Sequence, residues 1–155
     1  MKKQIAVIAL FASTALAQHD ATHSHHPGVD TRGDQAMGFS HEKTTHHFIR
    51  TRSGGIIDVI ANESSDAESV ASIRRHLKHI ASEFSKGNYE LPMFIHDRVP
   101  PGVEVMRERK DVIRFRYEER KNGARVVITS RDAAARAAIH DFLRFQISDH
   151  RTGDP

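Results

Sequence analysis

Histidine is the residue best able to do chemistry in this chain. It occurs 12 times, whereas cysteine does not occur at all. His76 and His79 lie in a segment with helical apolar periodicity, and their spacing puts them on neighbouring parts of one helix face. A neutral imidazole is a good ligand for zinc, copper, nickel or iron. The first chemical hypothesis is therefore a transition-metal site built from histidines.

The second half of the chain suggests which other histidine would join this pair. When the halves are aligned with Gly55 on Gly123 and, after a short gap, Asp66 on Asp132, three histidines meet three phenylalanines: His47 with Phe115, His76 with Phe142 and His79 with Phe145. Imidazoles in the place of core aromatics would point to a common interface, and burying them costs free energy unless their nitrogens find partners. We therefore predict His47, His76 and His79 as central metal ligands, in a three-histidine set that leaves one coordination position open.

Other side chains could complete the coordination sphere. The further predicted metal ligands are His41, His46 and His96, with Met37 and Met93 as nearby thioethers. Glu83 lies one helical turn beyond His79 and could orient a ligand from outside the coordination shell. The predicted metal is copper or zinc, and the absence of thiols together with the nearby methionines favours copper slightly.

Ordinary structural interpretations of the same histidines remain open. His76 and His79 flank the apolar stripe of their helix and have charged neighbours, which is also typical of a solvated helix flank. His96 could simply be ordered by Asp97. His140 and His150 are interpreted as surface residues.

Three functions follow from these alternatives, and the sequence ranks them. The first is a metal-binding protein in copper or zinc handling. The second is a metal-free module that binds a protein partner through the sheet face opposite the helices and the proline-rich loop at 88–110. A metal-dependent hydrolase or oxidase with Glu83 as base ranks last, because one set of three histidines is no evidence of a substrate; no nucleotide-binding, nucleophile-elbow or zinc-protease motif occurs either. No catalytic residue and no organic cofactor are predicted.

Hydrophobic periodicity places the candidate residues on two β-β-α units. The predicted elements are strands at 44–51 and 56–61, a helix between a capping box at 65–68 and Gly87, a long loop at 88–110, strands at 112–118 and 125–129, and a helix capped by Asp132. Neither unit can bury its apolar face alone. We therefore predict an α+β fold, a four-stranded antiparallel sheet with two helices on one face. The alignable halves suggest an internal duplication, with convergent β-β-α patterning as the alternative.

The start of the chain predicts export. Lys2 and Lys3 precede an apolar run over residues 5–17 that ends in a small-x-small pattern, as in a secretory signal peptide cleaved after Ala17. The run is shorter than the ~20 residues needed to span a bilayer, and no later segment is apolar enough. We expect a periplasmic or secreted protein with a disordered histidine-rich tail at 18–36, one domain at 37–150 and a polar tail at 151–155.

Charge and cysteine usage exclude some partners and some chemistry. The formal net charge of +3 falls close to zero once the two lysines of the signal peptide are removed. Basic and acidic residues alternate around 107–119, which is typical of a solvated surface, so no nucleic-acid partner is predicted. Without cysteine there is no disulfide, and the fold depends on its hydrophobic core. The oligomeric state is left open.

Several stretches resemble a small family of exported bacterial proteins without an established function. The stretches are Met37-Gly38-Phe39, Lys43-Thr44-Thr45-His46-His47-Phe48, His76-Leu77-Lys78-His79-Ile80, Pro100-Pro101-Gly102-Val103 and the segment 138–147. The resemblance covers nearly all of the chain after residue 17 and implies no catalytic residues. Members are sometimes labelled aspartate carbamoyltransferase; that label does not suit this chain, which lacks the Ser-Thr-Arg-Thr phosphate loop and is too short for two domains.

Overall fold

Four strands and five α-helices make up the part of the chain that the computed structural model describes, residues 27–155. In chain order they are α1 (Pro27–Met37), β1 (Thr44–Thr51), β2 (Gly54–Ala61), α2 (Ala67–Ser85), α3 (Glu90–His96), α4 (Val103–Glu108), β3 (Ile113–Arg120), β4 (Gly123–Ser130) and α5 (Ala133–His150). Short 3-10 turns precede β1 and β3. The predicted signal peptide, its cleavage site and the histidines at 19–26 lie outside the described residues.

The strands form one antiparallel sheet in the order β1-β2-β4-β3. This confirms the predicted α+β fold. Helix α2 packs mainly on β3 and β4, while α5 packs mainly on β1 and β2. Each helix therefore covers chiefly the hairpin of the other β-β-α unit, which is why neither unit can bury its apolar face without its partner.

Two capping carboxylates and one glycine help to set where the two long helices begin and end. Asp66, rather than the predicted Ser65, caps α2, and its carboxylate accepts a hydrogen bond of 3.0 Å from the Ser69 amide. Asp132 caps α5 in the same way, as predicted, by accepting from the Ala135 amide at 2.8 Å. Gly87 follows the end of α2 with φ of +80°, a left-handed conformation that glycine adopts without strain.

The predicted boundaries of the domain and of its central loop are wrong. Residues 27–36, assigned to the disordered tail, form most of α1, which packs on α3 and buries Val29, Gly33 and Met37 at four-residue spacing. Arg32 ties the two helices together by donating from Nε to the Ile95 carbonyl at 2.8 Å. Residues 88–110, predicted as a loop, contain α3 and α4. Pro92 lies in the first turn of α3, and Pro100, Pro101 and Gly102 come just before α4, positions where a helix tolerates them.

The helices are also too short or too polar to cross a membrane. None of those formed within residues 27–155 is both long enough and apolar enough to do so. The sequence likewise contains no segment in this range that is apolar enough to span a bilayer.

Tyr89 lies in the core and can be used to test whether a buried polar atom there has a hydrogen-bond partner. Its side chain is 0 % exposed and packs against Phe84 with ring centroids 4.5 Å apart. Its hydroxyl has no hydrogen-bond partner among the described residues, and burial raises its pKa, opposed only in part by Arg107. An unpaired buried hydroxyl destabilises the fold.

We expect Tyr89→Phe to leave the free energy of unfolding unchanged or to raise it by about 1 kcal/mol, because the substitution removes an unpaired polar atom and keeps the ring. Urea denaturation followed by circular dichroism measures this. Tyr89→Ala is the comparison and should cost about 3 kcal/mol or more through the cavity it leaves. A clear loss of stability in Tyr89→Phe would show that the hydroxyl is hydrogen-bonded after all.

Candidate functional site

The structure does not gather His47, His76 and His79 around one point. Side chains alternate along β1, and His47 lies on the face of the sheet away from the helices. It is 41 % exposed, and its Nδ1 is 2.9 Å from Oδ1 of Asp154. The same carboxylate accepts from the Phe48 amide at 2.9 Å, so the predicted polar tail is docked on the free edge of β1.

A one-residue register error explains the misplacement of His47. In the first hairpin Thr51 pairs with Gly54, and in the second Arg120 pairs with Gly123. Counting back from these turns, His46 is the residue that corresponds to Phe115. A shift of one position moves a side chain to the opposite face of a sheet. His46, and not His47, therefore faces the helices.

His79 also lies away from the core. It is exposed and borders a surface depression that Glu83 lines as well. The Glu83 carboxylate accepts from Lys86 Nζ at 2.6 Å and from Asn88 Nδ2 at 2.9 Å, and these contacts outweigh its desolvation and lower its pKa. Glu83 is thus a surface residue engaged with its own helix end, which gives no support to its predicted roles.

His76 instead lies beside two other imidazoles beneath β1, and we call His46, His76 and His150 the histidine cluster. The rings of His46 and His150 stack nearly parallel, with centroids 6.0 Å apart. Phe39 contacts both His46 and His76, at centroid distances of 6.0 and 5.6 Å. All three histidines line one cavity of about 60 Å³, whose other walls are mostly apolar. Of the two predicted surface residues, His140 donates from Nε2 to the Thr51 carbonyl at 2.9 Å, and His150 belongs to this cluster.

Burial keeps the histidine cluster uncharged. Desolvation lowers the pKa of His46 to about 4, helped by the neighbouring His76 and His41. It likewise lowers the pKa of His76 to about 4, helped by His79, and that of His150 to about 3, helped by His46. All three are therefore neutral near pH 7, which is the form that binds transition metals.

One nitrogen of the cluster is left without a partner. Nε2 of His46 is sealed from solvent and makes no hydrogen bond to any described residue, although part of the residue is still exposed. A buried polar atom in this state costs roughly 1–3 kcal/mol. Such an atom is rare in a native fold and calls for a functional explanation.

Met37 adds a thioether beside the cluster. It is buried at the end of α1 and lines the same cavity as the histidines. Met37, His46 and His150 also line a second cavity of about 210 Å³, so these three side chains form the wall between two spaces. Two imidazoles and one thioether make a soft ligand set, of the kind that suits copper.

The remaining predicted ligands have other partners. His96 is buried between α3 and α5, where Nδ1 contacts the Asp149 carboxylate and Nε2 is 2.9 Å from Oε1 of Gln146. His41 Nδ1 is 2.9 Å from Oδ1 of Asp34; burial lowers the pKa of His41, but Asp34 together with Asp30 and Glu42 outweighs burial, so the pKa is raised. Both ring nitrogens of His96 and one of His41 are thus occupied, and these residues have structural roles.

The described residues do not form a ready-made metal site. Within residues 27–155, no group of three or more His, Asp or Glu side chains is arranged to hold a metal ion. A ligand set drawn from the histidine cluster would need its rings to turn toward one point. Met37 is a methionine and so is not one of these side-chain types. Its thioether would be a further metal ligand in this region.

The cluster residues carried recognisable signals in the sequence. His46 alternates with Thr44 and Phe48, which are both buried, and would have been found by taking Gly54 as the turn position. His150 continues the buried stripe of α5 four residues after Gln146. Both residues follow from periodicity once the register and the helix end are known.

Comparisons with known proteins do not place this chain in a family: no family model, no curated protein and no solved structure matches it. The resemblance to a small exported family therefore stays a prediction. What the fold defines is an α+β protein made of two β-β-α units.

Proposed function

We propose that this protein binds a transition-metal ion, copper or zinc, in an extracytoplasmic compartment. The histidine cluster would replace the predicted set of His47, His76 and His79 as the source of ligands. The observation that carries the proposal is Nε2 of His46, a buried and unpartnered nitrogen next to two other neutral imidazoles. The compartment follows from the predicted signal peptide.

Several properties of the cluster support metal binding. The imidazoles need no deprotonation before they coordinate, because burial already keeps them neutral. The cavity walls are mostly apolar, so few other side chains could compete with the histidines as ligands of a bound cation. A metal on Nε2 of His46 would also remove the cost of leaving that atom unpaired. Binding would turn the cluster from a source of instability into a source of stability.

Met37 favours copper over zinc. Thioethers are ligands for monovalent copper, whereas zinc sites use imidazole, thiolate and carboxylate. The cavity of about 60 Å³ has no carboxylate in its lining. Met37→Leu should therefore weaken copper binding and leave zinc binding nearly unchanged.

We expect copper or zinc to raise the thermal midpoint of the full chain, and His46→Phe to weaken the binding about tenfold or more. A ligand at 100 times its Kd adds about 2.7 kcal/mol to stability. The phenylalanine copies Phe115 at the equivalent position, so this variant should fold. Thermal melts with each metal, together with competition against a chelator of known affinity, measure both effects.

Two matched variants distinguish the cluster from the original prediction. His47→Gln and His79→Gln each remove one imidazole from the surface and should bind metal as the unaltered chain does. The histidines at 19–26 are present in every variant, so any binding by them cancels in the comparison. Absence of binding in the unaltered chain, or its loss in the two surface variants, would contradict the proposal.

A further inference from the structure

A groove lined by arginines lies at the other end of the β1–β2 hairpin from His46. Its lining consists of Arg52, Ser53, Ser130, Arg131 and Arg136, around a volume of about 580 Å³. We call it the arginine groove. It shares no lining residue with the cavities of the histidine cluster. Any function it has is therefore independent of metal binding.

Tertiary structure builds this groove from two distant segments. Ser53 lies in the turn between β1 and β2, and Ser130 ends β4 just before α5. The Ser130 amide donates a hydrogen bond of 2.9 Å to the Ser53 carbonyl, which holds the turn against the junction. Arg52 and Arg131, each adjacent to one of these serines, are thereby brought to the same groove.

The positive charge of the groove is not neutralised within the described part of the chain. Arg52 and Arg131 are exposed, and neither forms an ion pair with any residue in 27–155. Arg136 donates from Nη1 to the carbonyls of Ser130 and Arg131, at 3.3 and 2.7 Å, which orients its guanidinium without cancelling its charge.

The nearest acidic residues are already paired. Asp132 accepts from Arg109 at 3.0 Å and caps α5 through the Ala135 amide. Asp111 pairs with Lys110 at 2.7 Å. Three guanidinium groups around one groove repel each other unless an anion lies between them. Their unpaired charge therefore favours an anion taken from solution.

The arginine side chains themselves would supply the recognition. Guanidinium groups offer paired donors whose geometry matches phosphate oxygens. The N-terminus of α5, which begins at Ala133, adds little to this, because the Asp132 carboxylate already caps it through the Ala135 amide.

We propose that the arginine groove binds the phosphate group of a small molecule. The groove is shallow and open to solvent, so it would hold the phosphate group and leave the rest of the molecule largely exposed. Arg52 and Arg131 would provide the main charge-assisted hydrogen bonds, and Arg136 would form the fixed wall of the site. The hydroxyl of Ser53 would be a further donor.

The test is a titration of the full chain with inorganic phosphate and with glycerol 3-phosphate, at constant ionic strength set by chloride. Amide chemical shifts from NMR spectra report the site. We expect saturable shifts at residues 52–53 and 130–131 with one or both probes. The double variant Arg52→Gln/Arg131→Gln should weaken binding about tenfold or more, because it removes charged hydrogen bonds.

Arg50→Gln is the matched control, since Arg50 is an exposed arginine of the same strand outside the groove. It should bind both probes as the unaltered chain does, and melting temperatures should show that all variants are folded. The proposal is overturned if neither probe gives saturable shifts at the groove. It is equally overturned if Arg50→Gln weakens binding as much as the double variant, which would mean attraction by net charge alone.

Discussion

Acidification from about pH 6.5 to pH 4 should remove several kcal/mol from the free energy of unfolding of the metal-free protein. The cause is the burial of three neutral histidines, whose pKa values of about 4, 4 and 3 lie below the ordinary value of 6.5. Each of these histidines lowers the free energy of unfolding by about 2 kcal/mol between pH 6.5 and pH 5, at 1.36 kcal/mol per pH unit. This is an upper limit, because each residue keeps some exposed surface.

The sign follows from proton binding in the two states. Below pH 6.5 the unfolded chain takes up protons at these imidazoles, whereas the folded chain does so only near pH 4 and below. The stability is therefore complete above about pH 6.5 and is lost as the pH falls to the lowered pKa values. Asp149 and Asp154, whose pKa values are lowered from 3.8, weaken the fold only below this window.

Urea denaturation at a series of pH values measures this loss, and single variants assign it. His76→Phe, which copies Phe142, should flatten the dependence by the share of one histidine. His79→Gln, a change to an exposed residue of the same helix, is the control and should keep nearly the full dependence, because burial lowers the pKa of His76 more than His79 does. If stability is level between pH 6.5 and pH 4, the cluster is not buried in its neutral form.

Gly102→Ala should destabilise the protein by about 3 kcal/mol or more, which combines the cost of a left-handed backbone with that of overpacking. Gly102 precedes α4 with φ of +84°. A Cβ there would lie 2.1 Å from the Ala138 carbonyl oxygen and 2.9 Å from its carbonyl carbon. These are backbone atoms in the middle of α5 and cannot move aside. The glycine therefore allows α4 to approach α5.

Gly38→Ala separates the two causes. Gly38 has a similar φ of +74°, but a Cβ there meets nothing within 4 Å. It should cost only the backbone strain of about 1–2 kcal/mol. Urea or thermal denaturation of both variants gives the contribution of the α4–α5 contact by difference. Equal losses in the two variants would show that α5 can shift to accept the methyl group.

Local sequence signals were enough to predict most of the secondary structure. Alternation at 112–118, β-branched residues at 56–61 and the glycine turns between the strands predicted the two hairpins, and the helical stripes with Asp132 and Gly87 predicted the long helices. Helix α1 was missed because its buried positions are Val29, Gly33 and Met37. A glycine in such a stripe has no side chain to show periodicity, and a helix this short depends on packing, here mainly on α3.

The chain's own pattern determined that it forms two β-β-α units and that histidines replace core aromatics in the first of them. Which histidines these are was decided by the tertiary structure. The turn at Gly54 turned His46 inward and His47 outward, since adjacent residues of a strand lie on opposite faces. Packing of α5 on β1 then brought His150 beside His46, and the contact of the first turn with the start of α5 assembled the arginine groove. Periodicity along a chain specifies which face a residue is on, whereas proximity between distant segments exists only once those faces have packed together.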